Sequence, residues 1–139
     1  MSDRKLIHTI TIPVRWGDMD AFGHVNNATY FTFCEQTRVN WLETSGLAES
    51  VRTVSDQGPV IVNASCTFLR PVVYPATIEV SMFAGAIGRS SLETEYEIRD
   101  AEDREKLYTT GSAKIVWIDH NSGRSMALPD SVRALVSPA

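Results

Sequence analysis

One long helical pattern, set among segments that alternate like strands, constrains the fold of this chain more than any other feature. From Ala28 to Thr44, apolar side chains recur at helical spacing and leave the opposite side polar. The stripe consists of Phe31, Cys34, Arg38, Trp41 and Leu42, with Tyr30, Phe33 and Val39 widening it. We therefore expect a helix that is largely enclosed by other elements and that stops at Gly46.

Five other segments alternate between apolar and polar residues, which is the pattern of half-buried strands. They are Leu6–Trp16, Val60–Arg70, Ile78–Ala84, Leu92–Arg99 and Leu107–Ile118. Pro13 lacks a backbone donor, so the first strand is expected at a sheet edge or at a bulge. The end of the fifth is apolar on both faces, which favours a central strand or one covered by a partner.

The order of these elements predicts an α+β protein with a single domain over residues 1–139. The later strands follow one another through short connections, so we expect them to pair antiparallel. Leu47–Gln57 predicts a helical turn and a loop, and Pro129–Val136 predicts a short closing helix. One long helix and one sheet bury their apolar surfaces best when the sheet wraps around the helix.

The loop before the helix carries the residues that are best suited to chemistry. Asp18 and Asp20 lie between Gly17 and Gly23, and His24 follows. Asn26 and Asn27 are good N-cap residues and come directly before the helix. A helix N-terminus offers free N–H groups and a partial positive charge. A carboxylate beside those donors could attack a carbonyl, or activate water at it, while the donors hold the carbonyl oxygen.

The run from Asp18 to Asn27 reads Asp-Met-Asp-Ala-Phe-Gly-His-Val-Asn-Asn, and Tyr30 follows it. This run resembles the motif of the 4-hydroxybenzoyl-CoA thioesterase group of hotdog-fold enzymes. The resemblance extends more weakly to Phe68-Leu69-Arg70-Pro71 and to Leu128-Pro129. It implies a hotdog fold, a five-stranded antiparallel sheet around one long helix. It also implies hydrolysis of an acyl-CoA or acyl-carrier-protein thioester, with coenzyme A as part of the substrate and no other cofactor.

The resemblance also implies roles for the residues of the loop. Asp20 would be the catalytic carboxylate, as nucleophile or general base, and the Asn27 backbone N–H would hold the carbonyl oxygen. Gly23 and His24 complete the candidate catalytic set. Similar acyl-carrier-protein thioesterases use the Asp, Asn and His of an Asp-x-Asn-x-His run. Phe22 replaces that Asn here, which favours a structural or pocket-lining role for His24 over a direct catalytic one. Asp18 would orient the loop through Arg15 or a backbone N–H.

A second group of residues is expected to bind the substrate. Tyr30 occupies the family's aromatic position at the start of the helix. Arg70 and Pro71, together with Arg89, Ser90 and Ser91, match regions that contact the nucleotide end of coenzyme A in similar thioesterases. Family members often have Gly-Asp where this chain has Pro75-Ala76-Thr77, which marks a local departure in shape.

Composition and residue spacing argue against a nucleic-acid-binding, membrane or metal-binding protein. A net charge of -4 gives no global basic field for nucleic acid. No apolar run approaches the ~18 residues of a membrane span, and no secretory signal is visible, so a cytoplasmic protein with reduced Cys34 and Cys66 is expected. A calcium loop starting at Asp18 fails at Phe22 and Thr29, and a transition-metal site there lacks a second His, so we expect no metal.

The edges of a five-stranded sheet need cover, and the family's sites lie at subunit interfaces. We therefore expect a homodimer or a homotetramer. Two rival functions stay open from the sequence. One is a hotdog protein that binds acyl-CoA or acyl carrier protein without hydrolysis. The other is a hotdog hydratase, although its acid–His pairing is not found here.

Overall fold

The computed structural model describes residues 3–47 and 55–138, so most of the predicted Leu47–Gln57 turn lies outside the described residues. The strands and helices follow in one chain order. They are β1 (Lys5–Pro13), α1 (Asn27–Thr44), β2 (Gln57–Phe68), β3 (Thr77–Ile87), β4 (Ser91–Asp100), β5 (Leu107–Asp119) and α2 (Asp130–Val136). The strand predicted to reach Trp16 ends at Pro13, and a short 3-10 turn over Trp16–Asp18 leaves Trp16 74% exposed.

The five strands form one antiparallel sheet in the order β1-β3-β4-β5-β2. The expectation that successive later strands pair is therefore wrong for β2 and β3, which lie at different places in the sheet. The segment 69–76 between them crosses one end of the sheet. It pairs with the loop before α1, since Val14 N–H donates to Ala76 O at 2.8 Å and Val25 N–H donates to Val72 O at 2.9 Å.

Helix α1 packs one face on the concave side of the sheet. Its buried residues are Tyr30, Phe33, Cys34, Thr37, Trp41 and Leu42. The predicted apolar stripe differs from the buried face at two points. Phe31 was predicted to be buried but is 38% exposed, whereas Thr37, which lies outside the stripe, is buried together with Phe33. Among residues 3–47 and 55–138, the sheet covers only this face and the residues opposite are exposed, so the expectation of a largely enclosed helix is wrong for this part of the chain.

Both ends of α1 follow the signals in the sequence. The Asn26 side chain accepts a hydrogen bond from Ala28 N–H at 2.9 Å and so caps the first turn. Gly46 adopts a φ of +82°, a left-handed conformation that glycine reaches without the steric cost of a Cβ. The helix axis is thereby fixed with its N-terminus at the crossover end of the sheet.

This sheet wrapped around a single long helix is the hotdog fold, so the fold expectation is confirmed. β5 lies between β4 and β2, as its two apolar faces indicated. The edges belong to β1, where Pro13 lies, and to β2. On β2, the side chains of Ile61, Val62 and Phe68 are 41%, 57% and 41% exposed, so this edge carries uncovered apolar surface.

Candidate active site at the N-terminus of the long helix

Asp18 anchors the loop that precedes α1. Its side chain is only 5% exposed. One carboxylate oxygen accepts the Arg15 backbone N–H at 2.8 Å, and the other accepts the Arg15 guanidinium at 2.9 Å and 3.3 Å. The Asp18 carbonyl accepts Asn26 N–H at 3.0 Å. Both partners suggested by the sequence are thus present, and Asp18 has its oxygens committed to the loop.

Asp20 is held differently. Its Oδ1 accepts the Phe22 N–H at 2.9 Å, while Oδ2 has no hydrogen bond among the described residues. A tight turn positions the side chain, because Gly23 N–H donates to the Asp20 carbonyl at 3.0 Å and Gly23 has a φ of +81°. The Asp20 N–H donates to the His24 carbonyl at 2.9 Å. This half-buried carboxylate therefore keeps one oxygen available for a substrate or a water.

Asn27 begins the helix and keeps its backbone donor open. Asn26 supplies the cap oxygen to Ala28, and its carbonyl accepts Thr29 N–H at 2.9 Å. Within residues 3–47 and 55–138, the Asn27 N–H donates no hydrogen bond. An N–H at a helix N-terminus that lacks a partner is suited to bind an anionic or polarised oxygen.

A cavity of about 280 Å³ lies beside this donor. Its lining residues come from the loop, from the start of α1, from the end of β2 and from the crossover segment 69–76. They are His24, Val25, Asn27, Tyr30, Phe68, Leu69, Arg70 and Pro71. The structure thus brings together five of the site residues expected from the sequence, with Asp20 adjoining them through its backbone bond to His24.

Tyr30 forms the floor of this region and is 2% exposed. Its hydroxyl accepts the Val72 N–H at 3.2 Å, which ties α1 to the crossover segment. Its ring contacts that of Phe68 edge-on, with centroids 5.1 Å apart. Burial raises the pKa of Tyr30, so this hydroxyl stays neutral.

Arg70 also borders a second cleft, of about 510 Å³, on the outer side of the crossover. This cleft contains Lys106, Tyr108 and Asp100. The Tyr108 hydroxyl donates to Asp100 at 2.9 Å, and burial together with this bond raises the pKa of Tyr108 to about 12. Arg70 and Lys106 therefore give the cleft two cations, and Lys106 was missed because nothing in its local sequence distinguishes it from other exposed lysines.

Arg89, Ser90 and Ser91 lie at the other end of the sheet. The Arg89 carbonyl accepts Leu128 N–H at 2.8 Å, and the Ser90 carbonyl accepts Trp117 N–H at 2.8 Å. β3 runs eleven residues between the two ends, which is roughly 35 Å at strand spacing. Within one chain, this turn and the Asp20 loop do not form a common site.

Large apolar side chains surround the Asp20 loop and face outward. Phe22 is 88% exposed and Trp16 is 74% exposed, while Leu69, Val73 and Tyr74 are each about half exposed. Such a cluster is typical of a surface that binds a ligand or a partner. The sequence indicated none of these as site residues, because a single aromatic in a loop carries no periodic signal.

Comparison with known proteins shows the family to which this chain belongs. Residues 14–136 match the thioesterase-like superfamily. This chain belongs to that superfamily. The PA2801 protein of Pseudomonas aeruginosa, a candidate thioesterase, is 46% identical in sequence. Its structure superposes with a TM-score of 0.88 and covers 94% of this chain and 98% of that one.

Two further relatives carry functional names. The 1,4-dihydroxy-2-naphthoyl-CoA hydrolase of Nostoc punctiforme is 30% identical over 86% of this chain and 79% of that protein. The long-chain acyl-CoA thioesterase FadM of Escherichia coli is 27% identical over 88% of this chain and 91% of that protein. The expectation of an enzyme that hydrolyses thioesters is thereby confirmed, at the level of the superfamily.

No group of three or more His, Cys, Asp and Glu side chains is arranged to hold a metal ion in residues 3–47 and 55–138. No described helix has the length and apolarity to cross a membrane.

Proposed function

We propose that this chain is an acyl-CoA thioesterase of the 4-hydroxybenzoyl-CoA thioesterase type, with Asp20 and the Asn27 N–H as its reacting groups. One observation carries the proposal. The open backbone donor at the start of α1 and the free oxygen of Asp20 belong to one short loop beside one cavity. A carboxylate that attacks or activates water, together with a preorganised donor for the carbonyl oxygen, is sufficient for thioester hydrolysis.

In the proposed reaction, the thioester carbonyl oxygen accepts the Asn27 N–H. The donor stabilises the negative charge that develops on that oxygen in the transition state. Asp20 either takes a proton from an attacking water or attacks the carbonyl carbon itself and is released by water. In both cases the carbon–sulfur bond breaks, the sulfur leaves with a proton as the free thiol, and a carboxylic acid remains.

The other residues of the loop have supporting roles in this proposal. Gly23 permits the turn that presents Asp20. His24 lines the cavity with an exposed side chain that makes no hydrogen bond in the described part of the chain, so it is placed to contact the substrate. Asp18 is assigned no chemical step, because Arg15 occupies its oxygens.

Coenzyme A carries phosphates, and the two cations of the second cleft, which adjoins the cavity at Arg70, are suited to them. Arg70 borders both clefts, and Lys106 lies in the outer one. An acyl carrier protein presents a single phosphate on the same pantetheine arm and is the alternative carrier. Relatives are named for both carriers: FadM and the naphthoyl-CoA hydrolase for coenzyme A, and ATL3 of Arabidopsis thaliana for acyl carrier protein. The pair of cations, rather than these names, is the reason for proposing coenzyme A.

We further propose that a homodimer, alone or paired into a tetramer, is the active unit. The open edge of β2 can pair with β2 of a second copy, which would cover its exposed Ile61, Val62 and Phe68. Antiparallel pairing would put the Gln57 end of one β2 beside the Phe68 end of the other. The Arg89–Ser91 turn lies at the Gln57 end, so a second copy would bring it toward the Asp20 loop.

A thiol-release assay across acyl-CoA chain lengths, with acyl carrier protein thioesters in parallel, tests the proposal. We expect saturable release of free thiol from at least one acyl-CoA and weaker release from the carrier-protein substrate. Tight binding of acyl-CoA without release of thiol would instead identify a non-hydrolytic binding protein. Faster release from acyl carrier protein would overturn the choice of carrier.

A further inference from the structure

A third cavity, of about 330 Å³, lies between the second half of α1 and the sheet. Among the described residues, it shares no lining residue with the cavity beside Asn27. Large apolar side chains from α1 and the sheet form most of its walls, among them Trp41, Leu42, Ile61, Leu92, Ile115 and Trp117. The ring nitrogen of Trp117 already donates to Gln57 Oε1 at 2.8 Å. The cavity is therefore suited to the apolar body of a small ligand.

Arg38 gives this cavity a positive charge. It lines the cavity and is half-buried. Its guanidinium donates to the Tyr96 hydroxyl at 3.3 Å and lies 5.6 Å from the centre of the Tyr96 ring. Arg38 comes three helical turns after Asn27, which is roughly 17 Å along the helix axis. It is therefore separate from the backbone donor of the candidate active site in the same chain.

Two buried residues of β4 hold the guanidinium in place. The Thr94 hydroxyl donates to the Ala113 carbonyl at 2.8 Å, so its oxygen accepts the proton of the Tyr96 hydroxyl at 2.8 Å. The Tyr96 oxygen in turn accepts from Arg38, because a guanidinium can only donate. Thr94 and Tyr96 are 0% and 1% exposed, so this chain of hydrogen bonds joins Arg38 to the rigid centre of the sheet.

The charge of Arg38 has no acidic partner within residues 3–47 and 55–138. Glu35 also lines the cavity, one helical turn before Arg38, but it is exposed and no ion pair joins the two. The bond to Tyr96 uses one of the five N–H groups of the guanidinium. A carboxylate on a ligand would compensate the charge and accept two of the remaining N–H groups side by side.

We propose that this cavity binds the apolar body of a carboxylic acid and that Arg38 binds its carboxylate. Two sources share this chemistry. One is the free acid that thioester hydrolysis releases, and the other is an acyl group that carries a second carboxylate at its far end. Only the choice between these sources rests on the proposed function, because the cavity and Arg38 belong to one chain.

The proposed dimer is compatible with this site. Pairing of two β2 strands would join their backbone edges in the plane of the sheet, whereas the cavity lies on the face that α1 covers. Ile61 lines the cavity and is 41% exposed, so the cavity opens near the β2 edge. Antiparallel pairing would bring the Asp20 loop of the second copy toward the Gln57 end of β2. An acyl group held at that loop would then extend toward Arg38.

A tryptophan fluorescence titration tests carboxylate binding. Trp41 and Trp117 line the cavity, and Trp16→Phe removes the signal of the third tryptophan, which is 74% exposed beside the Asp20 loop. Decanoate is the probe, and decanol is the matched ligand without a charge. We expect decanoate to bind saturably and at least ~10-fold more tightly than decanol, the scale of hydrogen bonds to a charged group. Equal affinity for the two ligands, or no saturable change with decanoate, would overturn the proposal.

Variants at Arg38 test its role in the same Trp16→Phe background. Arg38→Gln should lower the affinity for decanoate at least ~10-fold and leave the affinity for decanol unchanged. Arg124→Gln removes the same charge from an exposed position outside the cavity and should bind both ligands like its parent. Circular dichroism checks the fold, and Arg38→Met replaces the glutamine variant if that one does not fold. Unchanged decanoate affinity in a folded Arg38 variant would contradict the assignment.

Thiol release distinguishes the two sources. If the ligand is an acyl group with a second carboxylate, the wild type should prefer such an acyl-CoA over the plain chain of equal length, and Arg38→Gln should lose this preference. If the ligand is the free acid, decanoate should slow thiol release by the wild type but not by Arg38→Gln. Absence of thiol release from every acyl-CoA would contradict the proposed hydrolysis alone, because decanoate binding is measured without turnover. Loss of decanoate binding with thiol release intact would contradict the carboxylate site alone.

Discussion

Two carboxylates two positions apart have different tasks in this loop, and their hydrogen bonds account for the difference. Asp18 is buried and bonded through both oxygens to Arg15. Asp20 uses one oxygen in its own turn and keeps the other free. A buried carboxylate without partners would be costly, so Asp18 needs Arg15 to be tolerated at all.

At Asp18, the substitution Asp18→Asn keeps the volume and removes the charge. We expect the free energy of unfolding to fall by roughly 1.5–3 kcal/mol, the usual range for hydrogen bonds to a charged group. Urea unfolding measures this loss, and the thiol-release assay should show a smaller decrease in turnover than a change at Asp20 causes. Unchanged stability with complete loss of turnover would mean that Asp18 takes part in the reaction itself.

At the scale of elements, the helix boundary and the loop were readable from sequence because local chemistry determines them. An Asn cap, a turn glycine and the wide apolar stripe fix α1 within one residue. The position of β2 was not readable, since its alternation is the same whether it pairs with β3 or with β5. Long-range packing decides that choice: the crossover 69–76 bonds to the loop at Val14 and Val25 and carries the chain past the sheet end.

The cap of α1 can be tested separately from the chemistry. Asn26→Ala removes the acceptor of the Ala28 N–H, and we expect a loss of about 0.5–2 kcal/mol in the free energy of unfolding. Asn26→Asp is the matched control, because a carboxylate can accept the same bond. Equal stability of the alanine and aspartate variants in urea titrations would show that the cap contributes nothing.

Glu97 on β4 makes a contribution to stability that depends on pH. Burial alone would raise the pKa of Glu97, but hydrogen bonds from Arg4 at 2.7 Å and Arg99 at 3.1 Å outweigh it, and the pKa is lowered. A carboxyl group with a depressed folded-state pKa contributes stability above its unfolded pKa. That contribution is lost as pH falls through the folded-state pKa.

Glu97→Gln should therefore be less stable than the wild type at neutral pH. The difference should narrow as pH drops below about 4, where the carboxyl of the unfolded chain is protonated. Urea midpoints at several pH values measure it. Glu93→Gln, on the same strand and exposed, serves as the control and should follow the wild type at each pH. A Glu97 difference that stays constant with pH would contradict the assigned ion pairs.

For the whole molecule, the proposed dimer requires one of the two sheet edges to be covered by a second copy. β1 and β2 both end the sheet, and each has an exposed apolar residue, Leu6 on β1 and Val62 on β2. The sequence indicated that an edge would be covered but could not choose between them. It also placed Arg89 with the substrate contacts, and only a second copy could bring that turn toward the Asp20 loop.

A charged substitution on each edge strand tests which edge forms the proposed dimer interface. Val62→Glu should dissociate the dimer and lower turnover, because two like charges would meet across β2. Leu6→Glu places the same charge on the other edge and should remain dimeric and active. Light scattering under assay conditions gives the molecular mass. A fully active wild-type monomer, or dissociation caused only by the Leu6 variant, would contradict assembly through β2.

The central claim is that Asp20 performs the chemistry beside the Asn27 donor, and one substitution tests it most directly. Asp20→Asn keeps the side chain's size and its bond with Phe22 while removing the charge. We expect the variant to fold and to bind acyl-CoA normally, with turnover reduced by at least ~10²-fold, the scale for losing a positioned acid–base group. Thiol release by the folded variant at near wild-type rate would contradict the assignment of Asp20.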